Sequence, residues 1–214
     1  MENNVNKYKR YLLQENDKFN LVSRKTIEEQ LDLHIEDSRK VLERWQLTNQ
    51  KIIDVGSGAG FPGLIMALTS KENEYLLLES DLKKQQFLQR AIEMLTMNHV
   101  QAIRGRAEDI AHHIDYREKF DVSTSRAVAA MRVVLEYCLP LIRVGGMVFL
   151  WKGPRYQEEI QEATDAMKLL GGTVQDVHLY QLGDRQRAII QVRKHQQTPD
   201  KYPRRTGLPV KRPL

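Results

Sequence analysis

The sequence predicts an α/β fold: a mostly parallel, seven-stranded sheet with helices on both faces, led by a helical extension and ended by an antiparallel hairpin. Three observations carry this expectation. From Lys51 onward, short apolar runs alternate with helical patterns, as successive βαβ units require. The run Ile52-Ile53-Asp54-Val55 passes directly into a loop with four glycines in eight positions (Gly56, Gly58, Gly60, Gly63) and then into the helical pattern Leu64-Ile65-Met66-Ala67-Leu68. Finally, no helical pattern, only the turn Leu182-Gly183-Asp184, lies between the last two strand-like segments. That spacing has no room for a crossover helix, so the two must pair antiparallel.

Taken in order, Tyr8, Tyr11, Leu12, Phe19 and Leu21 give the first segment an apolar helical face. A break is expected near Asn20 to Ser23, followed by a helix whose start, Thr26 with Glu29, has the spacing of a capping box. A third segment, Glu36 to Trp45, ends at the junction Gln46-Leu47-Thr48-Asn49. Residues 1–46 are therefore read as a helical extension, 47–195 as the main domain and 196–214 as a tail. Strands are expected at Lys51–Val55, Glu74–Glu79, Val100–Arg104, Phe120–Thr124, Gly146–Trp151, Val174–Tyr180 and Arg187–Arg193. Helices are expected at about Phe61–Ser70, Leu82–Thr96, Ala107–His112, Ala127–Arg143 and Arg155–Leu170.

A chain of 214 residues can bury one substantial core. The lone cysteine, Cys138, excludes an internal disulfide and fits a reducing cytoplasm; set in an apolar run, it reads as core filler. The first ten residues are polar, so no signal peptide is expected, and no apolar run is long enough to span a membrane as a helix. The net charge of +5 is uneven: Arg193 to Leu214 holds seven basic residues against Asp200. Pro199, Pro203, Pro209 and Pro213 keep this tail out of a helix interior or central strand. It reads as an extended basic arm, with Tyr202 as a stacking group for nucleic acid, or equally as a solvated, disordered end.

Strand, glycine loop and helix together bring backbone N–H groups close to a nucleotide-like ligand. The dinucleotide pattern G-x-G-x-x-G fails when counted from Gly56, where Phe61 takes the third glycine's place, and fits from Gly58 only at a distance from the strand. The D-x-G-x-G-x-G loop of S-adenosylmethionine-dependent methyltransferases fits Asp54, Gly56, Gly58 and Gly60 without adjustment. Five parallel strands ending in a hairpin also match that Rossmann-like architecture. Glu79 ends the second strand, where a carboxylate can accept both ribose hydroxyls or cap the next helix. Gly105 to Asp109 follows the third strand, beside an adenine edge. Arg126 follows the fourth and Lys152 the fifth, both at the cleft lip, where each can meet substrate or phosphate or serve as a surface cation. The six histidines show no metal spacing, and there is no G-x-S-x-G elbow or P-loop lysine.

These motifs resemble those of the bacterial small-subunit (16S) ribosomal RNA guanine-N7 methyltransferases, the family once called glucose-inhibited division protein B. The resemblance runs nearly end to end: Asn20-Leu21, His34-x-x-Asp37-Ser38, Asp54 through Gly63, Arg106-Ala107-Glu108, Ser125-Arg126-Ala127, Lys152-Gly153, and Thr198-Pro199-x-Lys201-Tyr202-Pro203-Arg204. It implies that Gly56, Phe61, Ala107, Glu108 and Arg126 line an S-adenosylmethionine site, joined by Gly58, Gly60 and Glu79 from the loop and strand arguments. Arg126 and Lys152 are then the candidates for positioning substrate. It implies as partner the 16S RNA or the small ribosomal subunit, with no metal, no membrane and a monomeric protein. A nicotinamide-dependent oxidoreductase and a non-catalytic RNA-binding module are the alternatives.

Overall fold

The computed structural model describes residues 2–18, 21–22 and 27–214, with the backbone alone for 2, 3 and 27–29. Phe19, the Asn20 and Ser23 ends of the expected break, and the capping contact between Thr26 and Glu29 lie outside the described residues. Two helices come first, α1 (Glu2–Asn16) and α2 (Ile27–Arg44). The separate segment expected from Glu36 to Trp45 is part of α2. Then follow β1 (Lys51–Val55), α3 (Gly63–Thr69), β2 (Glu74–Glu79), α4 (Leu82–Met94), β3 (Val100–Arg104) and α5 (Ala107–Ile110). The second half holds β4 (Phe120–Arg126), α6 (Met131–Cys138), a 3-10 turn (Leu139–Leu141), β5 (Ile142–Lys152), α7 (Tyr156–Glu162), α8 (Thr164–Leu170), β6 (Gly172–Leu182), β7 (Arg185–Lys194) and α9 (Leu208–Lys211).

The strands form one seven-stranded sheet in the order β3-β2-β1-β4-β5-β7-β6. The pairs among β1 to β5 are parallel, and β7 runs antiparallel to both β5 and β6. A hairpin whose second strand inserts beside β5 differs from the parallel 3-2-1-4-5-6 order of a dinucleotide-binding fold. The oxidoreductase alternative loses its architectural ground here.

Alternation along each strand divides the core into two layers. Ile52, Leu77, Val122, Phe149 and Ile189 face α1 to α4, while Ile53, Leu76, Leu78, Leu150 and Ile190 face α5, α6 and α8. Cys138 is fully buried in the second layer, and desolvation pushes its thiol up to about 12, which makes it inert. Among the described residues, no helix is long and apolar enough to cross a membrane, and no three His, Cys, Asp or Glu side chains are grouped to hold a metal ion.

Further expectations are corrected: the helix expected over Arg155–Leu170 is two, α7 and α8, broken at Ala163. The helix expected over Ala127–Arg143 shrinks to α6, because β4 keeps pairing with β5 as far as Arg126 opposite Trp151. Ala127 then turns the chain at φ +58°, outside the helical region. At the other end Pro140 lies in the 3-10 turn, and β5 begins at Ile142.

The tail is neither an extended arm nor a solvated end. Tyr202, expected to be available for stacking, is 6 % exposed within the second core layer. Lys194 Nζ is fully buried and donates to Glu118 Oε1 at 2.6 Å and to the carbonyls of Leu139 and Ile142 at 2.9 and 2.8 Å. Arg204 grips the fully buried Glu136 with Nε and Nη2 at 2.8 and 2.7 Å. Arg117 holds the carbonyls of Thr198 and Tyr202 at 2.8 and 2.9 Å.

Candidate functional site

The glycine loop after β1 is left-handed at Gly56 (φ +76°), Gly58 (φ +56°) and Gly60 (φ +96°), backbone states that residues with a Cβ rarely adopt. The four glycines do different work. Gly56 passes directly beneath Val128, where a Cβ would come within 2.4 Å of the valine Cγ2. Gly58 faces open space, and its N–H donates to Glu79 Oε2 at 2.9 Å. Gly60 packs inward against Leu64 and Leu88, while Gly63 packs against Asp54 and Leu77. Gly56 thus lines a cavity and Gly58 faces open space, whereas Gly60 and Gly63 are enclosed by packing.

Asp54 is consumed by the fold. It is 1 % exposed, Oδ1 accepts from Thr124 Oγ1 at 2.7 Å and Oδ2 accepts from the Gly63 N–H at 3.1 Å. Desolvation raises its pKa, against the lowering effect of these hydrogen bonds. Glu79 stands at the end of β2 with its carboxylate fixed between two backbone donors, Gly58 N–H and Asp81 N–H at 2.8 Å. Asp81 in turn caps α4 through Lys84 N. Helix α1 braces the loop from outside: the buried Tyr8 hydroxyl donates to the Ala59 carbonyl, and its ring meets Phe61 edge-on at 5.9 Å.

Three cavities open at the carboxyl ends of the parallel strands, where sheets of this kind bind ligands; one of about 440 Å³ lies outside the 127–130 turn against α7, and the other two hold the expected site residues. The smaller of those two, about 180 Å³, is lined by Gly56, Ser80, Ala107, Glu108, Val128 and Tyr137, among others. The folded tail closes it: Val210 forms part of the wall, and Glu108 Oε1 accepts the Gly207 N–H at 3.0 Å. The larger cavity, about 410 Å³, lies between α2, the ends of β4 and β5, and the β6–β7 hairpin. Arg126 and Lys152 both line it. A wider concavity of about 730 Å³ at the opposite, amino ends of the strands, by Lys51, Glu74 and Phe120, lies away from that chemistry.

The structure therefore splits the expected site residues. Gly56, Ala107 and Glu108 meet in the smaller cavity, with Gly58 and Glu79 beside it on the loop. Phe61 lies instead under the Arg126 guanidinium, 5.1 Å from ring centroid to Cζ. Gly60 belongs to the packing.

Neither candidate cation is free. Arg126 Nη1 pairs with Asp37 Oδ2 at 2.7 Å, both largely buried. Lys152 Nζ donates to Glu159 Oε2 at 2.6 Å and to the Ala129 carbonyl at 3.0 Å, and Glu159 Oε2 also accepts from Met131 N at 2.8 Å. Lys152 thus holds the 127–131 turn in place.

Asp37 is the residue that sequence reasoning left without a role. Besides Arg126 it receives the Tyr180 hydroxyl at 2.5 Å, and its carbonyl accepts the Trp151 indole N–H at 2.9 Å. Its 3-residue spacing from His34 on one helix was visible, but its three partners come from strands remote in sequence. His34 lies on the same wall, its ring 5.4 Å from Phe61. Burial first, then the Arg126 charge, lowers its pKa from 6.5 to about 4. This imidazole is expected to stay neutral in a proton NMR titration from pH 8 to 5. Because its folded value lies below the unfolded one, the stability it contributes is full above about pH 6.5 and is lost as pH falls toward 4. A titration midpoint near 6.5 would overturn this.

A profile of the GidB family, rRNA small subunit methyltransferase G, matches residues 1–190. A Syntrophomonas wolfei protein named ribosomal RNA small subunit methyltransferase G is 49 % identical, over the whole of both chains. Its namesake from Carboxydothermus hydrogenoformans is 41 % identical over 97 % of this chain and 89 % of its own. Among solved structures, M. jannaschii TYW2 in complex with AdoMet superposes with a TM-score of 0.60 at 14 % identity, over 81 % of this chain and 78 % of that one. A Streptomyces coelicolor geranyl diphosphate C-methyltransferase gives 0.61 at 12 % identity, over 81 % and 86 %. The structural likenesses establish the Rossmann-like methyltransferase fold, and the sequence matches establish more: this chain belongs to the rRNA small subunit methyltransferase G family.

Proposed function

We propose that this protein transfers the methyl group of S-adenosylmethionine to N7 of one guanine in 16S ribosomal RNA. The observation that carries the reading is the segment Arg126–Ala129. The smaller cavity, with Gly56 and Glu108, lies on one side of it and the cation-rich cavity on the other, and Ala129 lines both. The two cavities therefore adjoin at Ala129, as a methyl donor and its acceptor would require.

The residues present fit the cofactor. Gly56 and Gly58 leave a cradle without side chains, Glu79 offers a fixed carboxylate for ribose hydroxyls, and Ala107 with Glu108 borders the place for an adenine edge. When bound, the cofactor supplies an electrophilic methyl carbon on a sulfonium sulfur. Guanine N7 carries an in-plane lone pair and would accept that methyl without losing a proton, the sulfonium sulfur leaving as a neutral thioether, so no general base would be asked of the chain. The chain's own share of the chemistry is therefore placement. Asp37 fixes Arg126, Lys152 fixes the 127–131 turn, and neutral His34 offers a hydrogen-bonding edge without charge. Holding two reactants in line is worth effective molarities of about 10⁵ M or more. A buried, inert Cys138 agrees with a reaction that needs no protein nucleophile.

The test is transfer of labelled methyl to small ribosomal subunits from a strain lacking the gene, mapped by borohydride–aniline cleavage. Label at a single guanine is the expected result. Label elsewhere, or none with S-adenosylhomocysteine still bound, would overturn the acceptor assignment.

A further inference from the structure

We infer that the β6–β7 hairpin is the RNA-docking edge of the larger cavity, with Arg185 and Arg187 gripping backbone phosphates of a single-stranded segment whose base enters it. The inference rests on the RNA reading above and names the surface that serves it.

Four cations line this cavity: Arg126, Lys152, Arg185 and Arg187. The first two are neutralised within the fold, by Asp37 and Glu159. Arg185 and Arg187 have no ion pair among the described residues, and Arg187 Nε is buried without any hydrogen-bond partner. A guanidinium left this way has its donors available for a ligand that brings acceptors. The two arginines stand two apart on β7, so they project on the same face of the hairpin, opposite Leu182 and Tyr180 in the β6 register. Leu33, Leu182 and Trp151 supply apolar surface for a base in the same cavity. Phosphate on the rim and a flat ring inside is the chemistry of a nucleotide turned out of its strand.

The tail offers less than its composition implied. Lys194 and Arg204 are committed to Glu118 and Glu136, and Lys201 lies over the Tyr202 ring at 5.2 Å. Arg193, Lys201, Arg205, Lys211 and Arg212 remain exposed, but none of them lines the larger cavity.

The experiment measures equilibrium binding of the full chain to small ribosomal subunits and to naked 16S RNA across a KCl series. It compares wild type with Arg185→Gln/Arg187→Gln, Arg185→Lys/Arg187→Lys and Lys211→Gln/Arg212→Gln, and follows S-adenosylhomocysteine binding by calorimetry. The hairpin glutamine variant is expected to lose roughly tenfold or more in RNA affinity at 0.1 M salt. Its slope of log K against log salt should fall by about 1.5 to 2, with cofactor binding unchanged. The lysine variant should recover the slope, which a merely structural role would not produce. A wild-type slope in the hairpin variant, or its loss in the tail variant, overturns the inference. Hairpin-dependent binding with no methyl transfer would sustain the docking surface while sinking the acceptor assignment.

Discussion

Gly63→Ala is expected to destabilise the protein by about 3–5 kcal/mol. A Cβ at this position would stand 2.5 Å from the Asp54 Cβ, 2.7 Å from Asp54 Oδ2 and 2.7 Å from Leu77 Cδ2. These atoms belong to adjacent central strands at interior packing density, where no neighbour can retreat without moving the sheet. Overpacking of this kind costs about 1–3 kcal/mol. Displacing the Gly63 N–H also leaves the buried Asp54 carboxyl short of a donor, a further cost of about 1.5–3 kcal/mol if it is ionised. At roughly 2–4 °C per kcal/mol for a chain of this size, the melting midpoint should fall by roughly 10 °C. Calorimetry checks this, and a midpoint equal to wild type would sink the packing argument. Gly58→Ala is the contrast, since its Cβ meets nothing nearer than 3.9 Å and it bears only left-handed strain of about 1–2 kcal/mol.

Arg204→Ala is expected to cost about 3 kcal/mol and to weaken cofactor binding about tenfold. Removing the guanidinium strands the carboxylate of Glu136, which is 0 % exposed. The Arg204 backbone N–H still donates to Glu136 Oε1 at 2.8 Å, which keeps the cost at the lower end for a broken buried pair. The loss should travel to the smaller cavity, the proposed cofactor site, because Gly207 and Val210 reach it only while this tail is held down. Urea unfolding and S-adenosylhomocysteine calorimetry read the two effects separately. Arg204→Met combined with Glu136→Leu should recover most of the stability, since it removes both charges together. Cofactor affinity unchanged in Arg204→Ala would refute the closing role of the tail.

Much of this was legible in the chain. The first three strands fall at their expected bounds: β1 and β2 are short apolar runs buried on both faces, and β3, at the sheet edge, alternates buried Val100 and Ala102 with exposed Gln101. The hairpin was legible because Gly183, at φ +60°, suits a two-residue turn. What escaped was decided by tertiary partners. Nothing local told Gly60 and Gly63 apart from Gly56 and Gly58, since only the neighbours brought by α3, β1 and β2 distinguish packing from ligand approach. The tail's charges read as a solvated arm because Glu118 and Glu136, their partners, lie more than sixty residues away. Arg126 and Lys152 were placed at the cleft by strand order; the acid of Arg126, Asp37, was invisible because it lies 89 residues away, whereas Glu159 lies only 7 residues from Lys152 and was hidden by the turn that joins β5 to α7.

Asp37 has a consequence for how the molecule comes together. Its bonds to Arg126, Trp151 and Tyr180 close loops of 89, 114 and 143 residues. The glycine loop, by contrast, is fastened to Glu79 across only 21 residues. Closing the longer loops costs more chain entropy before any contact repays it, so the Asp37 junction is among the last to form during folding. The first βαβ unit can acquire its shape early, whereas the larger cavity exists only once the whole sheet does. Amide hydrogen exchange should accordingly find no partly folded species in which this cavity is intact and β7 is open. The larger cavity, and whatever binds in it, is thus absent from any half-folded form of the chain.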